Sequence, residues 1–217
     1  MLKIDNTMEI VFATGNRHKV EEAAQILGPE FRLRTPAELG ITEDIPETSD
    51  TLEGNALQKA EYVHNKTGLP CFSDDTGLFV DALGGAPGVL SARYAGPGKK
   101  AEDNVRKLLS ELKDVPAEKD GCRMRTARFR CVVAYVGSGV EKVFEGRVEG
   151  EIAAAPSGKD GFGYDPVFLP EKYGLERTFA ELTHEQKNAI SHRGEAMRKF
   201  AEWMRQEHLA KSAAVSR

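Results

Sequence analysis

Apolar residues recur along this chain at two spacings, and the changes between them mark the predicted elements. Residues 8–13 form a short, mostly apolar run, which predicts a buried strand. From Lys19 onward apolar residues recur at helical spacing until Gly28 interrupts the pattern, which predicts a helix. Residues 14–17 are therefore expected to form a turn that leads from a strand into a helix.

Further along, short apolar runs alternate with helical patterns. Residues 70–72 and 78–80 are apolar runs on either side of a polar segment, and extended runs on both sides of residues 137–139 predict a hairpin. The predicted elements are helices at 51–66 and 101–113, a loop at 114–124, hairpin strands at 127–136 and 140–148, and a long amphipathic helix after residue 194.

The mixture of strands and helices predicts the α/β fold class. A length of 217 residues fits one large domain or two lobes, and we interpret residues 1–217 as a single domain. Residues 1–7 are interpreted as an extension before Met8, and the small, polar residues 206–217 as a frayed tail.

Composition narrows the function classes. Apolar residues make up 40% of the chain, enough for a core, and the net charge of -4 argues against a nucleic-acid-binding surface. No apolar stretch is long enough to span a membrane, and residues 1–7 lack the apolar core of a signal peptide. The cysteines Cys71, Cys122 and Cys131 are odd in number and lack metal-binding spacing, which predicts reduced thiols and a cytoplasmic location.

The turn at residues 14–17 has the composition of a phosphate-binding segment. The first N–H groups of a helix lack backbone partners and lie at the positive end of its dipole, so they bind anions. Gly15 permits close backbone approach or a positive φ, and Lys19 can add a charge on a flexible stem. The segment is not a Walker A loop, and an ordinary turn capped by Thr14 or Asn16 is an equally good interpretation of these residues alone.

Two adjacent carboxylates, Asp74 and Asp75, separate two apolar runs. Neighbouring side chains of an extended chain point to opposite faces, so one of the two is expected to face a given cleft. A second acidic cluster at residues 43–53 contains Glu47, and one carboxylate from each cluster would suffice for Mg²⁺, which keeps water and phosphate oxygens as its other ligands. The alternatives are a turn with Asx-type hydrogen bonds at the aspartate pair and a solvated acidic loop at 43–53.

Two C-terminal segments are candidates for contact with a nucleoside. Residues 158–165 (GKDGFGYD) suggest a tight loop that places Phe162 or Tyr164 against a purine ring, or against the core as a lid. Just before the long helix, the donors of Lys187, His192 and Arg193 could bind a base carbonyl or a phosphate, or be solvated residues of the helix start.

Four segments in this order resemble the inosine triphosphate pyrophosphatase family of non-canonical purine nucleotide hydrolases. They are FATGNRHK, SDDTGLFVDALGGAPGVLSARYAG, GKDGFGYDPVF and FAELTHEQKNAISHRG, and the resemblance covers nearly the whole chain. It implies hydrolysis of ITP, dITP and XTP to the monophosphate and pyrophosphate, with Mg²⁺, by a homodimer. The implied fold is an elongated mixed sheet with flanking helices and two lobes around a central nucleotide-binding cleft, the hairpin lobe being inserted in the middle of the chain.

The resemblance also implies roles for individual residues. Asp75 matches the proton acceptor that activates water, and Glu47 and Asp75 match the metal-linked carboxylates. His192 and Arg193 would favour a 6-oxo purine over a 6-amino purine. The residues that match substrate-binding positions are Thr14, Gly15, Asn16, Arg17, His18, Lys19, Thr76, Phe162, Gly163, Tyr164, Asp165, Lys187, His192 and Arg193.

Some assignments stay open at this point. The choice of Glu47 depends on aligning a loop, and Glu43 or Glu53 could be the metal partner instead. A Maf-like nucleotide pyrophosphatase with another base preference is one rival function, which the His192-Arg193 pair argues against. A nucleotide-binding sensor without turnover is another, which the presence of both Lys19 and Asp75 argues against.

Overall fold

The computed structural model describes residues 7–215, with side chains described to residue 210. The strands are β1 (Met8–Phe12), β2 (Phe31–Arg34), β3 (Cys71–Val80), β4 (Pro87–Gly88), β5 (Glu118–Lys119), β6 (Cys122–Arg123), β7 (Thr126–Gly137), β8 (Val140–Ile152) and β9 (Phe168–Pro170). The α-helices are α1 (Arg17–Leu27), α2 (Leu52–Thr67), α3 (Ala101–Glu111), α4 (His184–Ile190) and α5 (His192–Val215).

Most strands belong to one mixed sheet. Its order is β2-β1-β3-β7-β8-β9, with β4 paired to β3, and β5 and β6 form a separate two-stranded sheet. Strand β1 runs parallel to both β2 and β3, whereas β4 is antiparallel to β3 and β9 is antiparallel to β8. The mixed sheet and its flanking helices confirm the predicted α/β class.

The described chain divides into two compact units, and neither is continuous in sequence. Unit 1 comprises residues 7–75, 132–145 and 194–215, and unit 2 comprises residues 76–131 and 146–193. Residues 132–145 of the hairpin belong to unit 1, so the expectation that the hairpin forms part of an inserted lobe is wrong for its tip. The interpretation of the whole chain as a single domain stays a prediction.

In unit 1, aromatic side chains fill the space between the sheet and α5. The rings of Phe12 and Phe72 stack with centroids 4.4 Å apart, and Phe200 of α5 lies 4.8 Å from Phe72. Buried apolar surface of this kind stabilises a fold by about 25 cal/mol for each Å² removed from water. The packing fixes β1 and β3 side by side; β1 leads into the turn at residues 14–17, and β3 contains the aspartate pair.

In unit 2, the core forms around the second half of β3. Leu78, Leu108 of α3 and Phe168 of β9 are fully buried members of one apolar cluster. Ser91 links β3 to β4, since its hydroxyl accepts a hydrogen bond from Leu78 N at 2.8 Å and donates to Gly88 O at 2.6 Å.

The main differences from the sequence-based prediction lie at element boundaries. Strand β3 joins the two predicted apolar runs into one strand through the aspartate pair, so the alternative of a turn there is wrong, and the expected loop at 114–124 contains the short hairpin β5–β6. Helix α5 continues to Val215, where a frayed tail was predicted from residue 206. Residues 1–6 of the predicted extension lie outside the described residues. None of the described helices is long and apolar enough to cross a membrane.

Candidate active site

The turn after β1 is closed by its own cap. The side chain of Asn16 accepts hydrogen bonds from the backbone N–H groups of His18, at 3.0 Å, and Lys19, at 3.3 Å. Thr14 accepts from Asn16 N at 3.2 Å, so the capped turn that was one interpretation of this segment is present. Gly15 is exposed and its φ is not positive, and a Cβ added there would meet nothing within 4 Å. Gly15 therefore leaves open space beside the start of α1, where a ligand can approach the backbone.

Side chains at the start of α1 differ in exposure and in partners. Arg17 is exposed and its Nε donates to Glu21 at 2.8 Å, one turn along the helix. His18 is also exposed. Lys19 reaches inward instead, and its Nζ lies 2.9 Å from Oδ1 of the buried Asp74. Of these three side chains, Lys19 is the one that the fold directs to the aspartate pair.

The aspartate pair on β3 separates into two environments, as the alternation of side chains along a strand predicts. Asp74 is 1% exposed and pairs with Lys19. Asp75 contacts α2 instead, because Asn55 donates to its Oδ2 at 3.2 Å and Lys59 Nζ lies 3.5 Å from its Oδ1. The two carboxylates therefore have different partners although they are adjacent in sequence.

Lys59 is the central cation of this group, and sequence reasoning missed it. Its Nζ donates to Glu47 Oε1 at 2.5 Å and to the backbone oxygen of Asp74 at 2.8 Å, in addition to its contact with Asp75. The available signal was a lysine within the apolar stripe of α2, since Lys59 lies one turn after Ala56 and next to Ala60. A lysine at such a position is buried only when acidic partners meet it.

The same contacts distinguish Glu47 from Glu43 within the acidic 43–53 segment. Glu47 shares the ammonium of Lys59 with Asp75. Glu43 pairs with Lys66 and accepts a hydrogen bond from Tyr62 at 3.0 Å. The structure thus brings Glu47 and Asp75 to one cation and leaves Glu43 with a separate one. Among the described residues, no group of three or more His, Cys, Asp or Glu side chains is arranged to hold a metal ion.

Burial and neighbouring charge act in opposite directions on this group. Burial is the largest influence on Asp75 and raises its pKa, while Lys59 and Lys19 partly oppose this effect. Burial alone would lower the pKa of Lys59, but the carboxylates of Asp75, Glu47 and Asp74 together raise it. Lys59 therefore stays charged, and Asp75 is a stronger proton acceptor than an ordinary aspartate.

In unit 2, the glycine-rich loop at 158–165 is held by one carboxylate. Asp165 Oδ2 accepts a hydrogen bond from Phe162 N at 2.8 Å and one from Lys187 Nζ at 2.9 Å, and both members of the Asp165–Lys187 ion pair are buried. Gly161 has a φ of +83°, and a Cβ added there would lie 2.3 Å from Asp165 Oδ2. The glycine is needed at this position because any side chain would displace the carboxylate.

The aromatic side chains of this loop have different roles. Phe162 is 38% exposed, and two cations lie over its ring: Lys187 Nζ at 4.6 Å and the Arg193 guanidinium at 5.3 Å from the centroid. Tyr164 is buried in the core, where burial raises its pKa, and its hydroxyl donates to Ser91 O at 2.8 Å. The interpretation as a core lid therefore fits Tyr164, while Phe162 is the partly exposed aromatic residue of the loop.

The donors before the long helix are buried rather than solvated. Lys187 lies on α4, and His192 and Arg193 are the first residues of α5. His192 stacks on Phe129 with centroids 4.7 Å apart, and Arg193 is 2% exposed. Thr76 Oγ1 is also buried, and it has no hydrogen-bond partner among the described residues. A buried polar atom without a partner in the protein is costly, so Thr76 Oγ1 is a candidate for contact with a ligand.

Known proteins resemble this chain over most of its length. The sequence model of the Ham1 family matches residues 10–203. The dITP/XTP pyrophosphatase of Porphyromonas gingivalis is 50% identical over 196 residues, which are 90% of this chain and 97% of that protein. The dITP/XTP pyrophosphatase of Bacillus subtilis strain 168 is 47% identical over 195 residues, covering 89% of this chain and 95% of the relative.

A solved structure extends the likeness to the fold. The Staphylococcus aureus Ham1 protein superposes with a TM-score of 0.81 at 39% sequence identity, and the match covers 92% of this chain and all of that one. Both the sequence match over residues 10–203 and the relatives at up to 50% identity therefore lead to the same assignment: this chain belongs to the Ham1 family.

Proposed function

We propose that this protein hydrolyses ITP, dITP and XTP to the nucleoside monophosphate and pyrophosphate and so removes non-canonical purines from the nucleotide pool. The observation that carries the proposal is the convergence of Glu47 and Asp75 on the ammonium of Lys59. Relatives named dITP/XTP pyrophosphatases, at 42% to 50% identity, support the same substrate class.

Asp75 is the proton acceptor in this proposal. Its burial raises its pKa, which makes the ionised carboxylate a better base for a water molecule. Asn55 and Lys59 contact its two oxygens separately, at 3.2 Å and 3.5 Å, and so fix the carboxylate plane. Water that loses its proton to Asp75 attacks the α-phosphorus, the bond from that phosphorus to the bridging oxygen breaks, and pyrophosphate leaves.

Mg²⁺ is the metal that we propose, and the residues present fit it. It takes oxygen ligands and usually requires only one or two protein carboxylates. Glu47 and Asp75 would hold it, since they already converge on one cation. When bound, the metal would neutralise phosphate charge and lower the pKa of its coordinated water.

Lys19 and the turn before it would bind the triphosphate. A lysine ammonium has three donors, and Asp74 takes one of them at 2.9 Å. The remaining two donors of Lys19 suit phosphate oxygens, and Gly15 leaves the nearby backbone open to approach. Thr14, Asn16, Arg17 and His18 complete the proposed phosphate-binding segment.

Unit 2 would select the base. A 6-oxo purine presents a carbonyl acceptor, whereas a 6-amino purine presents donors at the same position. Phe162 offers a partly exposed ring for stacking, Lys187 and Arg193 have donors beside that ring, and His192 is a further proposed donor. A 6-amino group would leave such a buried donor unpaired, at a cost of about 1–3 kcal/mol for each mismatch. Thr76, Gly163 and Asp165 are the other proposed contacts, and Asp165 acts by holding the loop.

A homodimer and a cytoplasmic location belong to the same proposal; the dimer rests on the resemblance to the family, and the location rests on three cysteines without metal-binding spacing. The mass of one chain is 23.8 kDa, so sedimentation equilibrium separates one copy from two. A purely monomeric protein at all working concentrations would remove the dimer from the proposal.

A substrate panel tests the proposed function. The purified protein is incubated with ITP, dITP, XTP, ATP and GTP, with and without Mg²⁺, and pyrophosphate and phosphate are quantified separately. We expect rapid pyrophosphate release from the first three nucleotides and little from ATP, whose base carries a 6-amino group; GTP has the same 6-oxo group as the first three and tests whether the 2-amino group is also rejected. Equal rates with ATP, or release of phosphate alone, would contradict the proposal.

A further inference from the structure

Asp74 is a buried carboxylate to which the catalytic scheme gives no step. It lies on β3 and its side chain is fully buried, whereas that of its partner Lys19 is 17% exposed. The pair joins residues 55 positions apart in sequence, at an Nζ to Oδ1 distance of 2.9 Å. The backbone oxygen of Asp74 accepts a hydrogen bond from Lys59 at 2.8 Å, so this one residue contacts both lysines of the group.

The stability of the fold does not explain why a charged side chain is buried at this position. Removing two charges from water costs more free energy than burying an apolar pair of the same size. A buried ion pair is therefore weak evidence of stabilisation. Lysine has a long, flexible side chain whose ordering costs conformational entropy. A charge-assisted hydrogen bond from a fixed strand removes that freedom before a ligand arrives.

The geometry points to Asp74 as a positioning residue, which holds the ammonium of Lys19 in place for the triphosphate and acts only through that lysine. This inference rests on the proposed phosphate contact of Lys19. Asp74 itself takes one donor of the ammonium and leaves the others for phosphate oxygens. Substrate binding then requires little further ordering of Lys19.

Two substitutions and their combination test this inference. Asp74→Asn keeps the size of the side chain and an oxygen acceptor but removes the charge, and Lys19→Gln removes the ammonium. We expect Asp74→Asn to lower kcat/KM for ITP by about tenfold, the scale of one charge-assisted hydrogen bond. The loss should divide between kcat and KM in the same way as the loss in Lys19→Gln, since both changes act on one contact.

The decisive comparison is the effect of Asp74→Asn in the absence of Lys19. In the Lys19→Gln background, we expect Asp74→Asn to change kcat/KM by less than about twofold, because contacts that act through one another do not add. Effects that multiply would overturn the inference, as would Asp74→Asn activity within about twofold of the wild type.

Binding of inorganic tripolyphosphate gives a readout that does not require turnover. Titration calorimetry should show weaker binding for Asp74→Asn only when Lys19 is present. Glu9→Gln is the matched control, since it removes a carboxylate from an ion pair of the same 2.9 Å length with Arg34 on the surface of unit 1. We expect it to leave binding and kcat/KM unchanged. If the wild-type protein releases no pyrophosphate from ITP, the proposed function fails, whereas an active wild type with multiplying effects contradicts only the inference about Asp74.

Discussion

Replacing Lys59 with methionine measures how much the buried charge of Lys59 contributes to the free energy of unfolding. Methionine keeps the length and helix propensity of lysine but cannot pair with Glu47 or Asp75. The side chains of Lys59 and Asp75 are 7% and 15% exposed, and that of Glu47 is 34% exposed. The substitution therefore leaves one nearly buried carboxylate without the cation that Lys59 supplies, and a second that water partly screens.

The magnitude follows from this difference in exposure. Removing one partner of a buried ion pair costs about 3–5 kcal/mol. Because Glu47 is partly solvated, we place the loss for Lys59→Met at the lower end, about 3 kcal/mol at neutral pH. For a chain of this size, a loss of about 3 kcal/mol lowers Tm by roughly 6–12 °C.

The pH dependence has a definite sign. In the wild type, the raised pKa of Lys59 means that its stabilisation is present below its ordinary pKa of 10.5 and is lost as pH rises through the folded-state value. In the variant, Asp75 loses the largest influence that lowers its pKa, so its folded-state pKa rises further above 3.8. A carboxyl group with a raised pKa destabilises the fold only where it must ionise. The difference in the free energy of unfolding between wild type and variant should therefore shrink as pH falls through the folded-state pKa of Asp75.

Urea denaturation followed by tryptophan fluorescence reports the unfolding of unit 1, which contains Lys59. Trp203 is the single tryptophan of the chain, and it packs on Tyr135 and Phe144 within unit 1. Lys66→Met is the matched control, since Lys66 lies on the same helix but pairs with Glu43 in an exposed position. We expect Lys66→Met to leave the midpoint close to that of wild type. Equal midpoints for Lys59→Met and Lys66→Met at pH 7 would refute the reasoning.

Three further predictions follow from the site and from the burial of the cysteines. Asp75→Asn should abolish pyrophosphate release while calorimetry still detects nucleotide binding, because the amide cannot accept the proton from water; an active variant would exclude Asp75 as the base. Arg193→Lys should reduce the ratio of kcat/KM for ITP to that for ATP, because the ammonium of lysine lacks the planar set of donors that arginine places over Phe162. An unchanged ratio would remove Arg193 from base selection. Iodoacetamide at pH 8 should alkylate the exposed Cys122 and spare Cys71, whose burial raises its pKa to about 11, and peptide mass analysis with a Cys122→Ser control would detect the opposite result.

The sequence predicts most elements of this fold because their signals are local. The apolar run at 8–13 and the helical spacing that follows become β1 and α1, and Gly28 ends α1 with a φ of 91°. The hairpin is equally local, since Ser138 and Gly139 both have positive φ, as a tight two-residue turn between strands requires. By contrast, β5 and β6 have two residues each, which is too short for a periodic signal.

The site is less accessible to sequence reasoning because its contacts join distant segments. Nothing local to α2 shows that Lys59 meets Glu47 and Asp75, which approach it from a loop and from β3. The pairing of Lys19 with Asp74 instead of Asp75 depends on which face of β3 packs toward α1. An aromatic residue in a glycine-rich loop, such as Tyr164, likewise gives no local sign that it is buried in the core.

The position of an oxygen label after hydrolysis tests the central claim most directly. The protein is incubated with ITP and Mg²⁺ in ¹⁸O-labelled water, the products are separated, and their masses are determined by mass spectrometry. Attack of water on the α-phosphorus predicts one labelled oxygen in inosine monophosphate and none in the released pyrophosphate. Label in pyrophosphate or in free phosphate would place the attack on another phosphorus and would contradict the proposed hydrolysis to monophosphate and pyrophosphate by attack at the α-position.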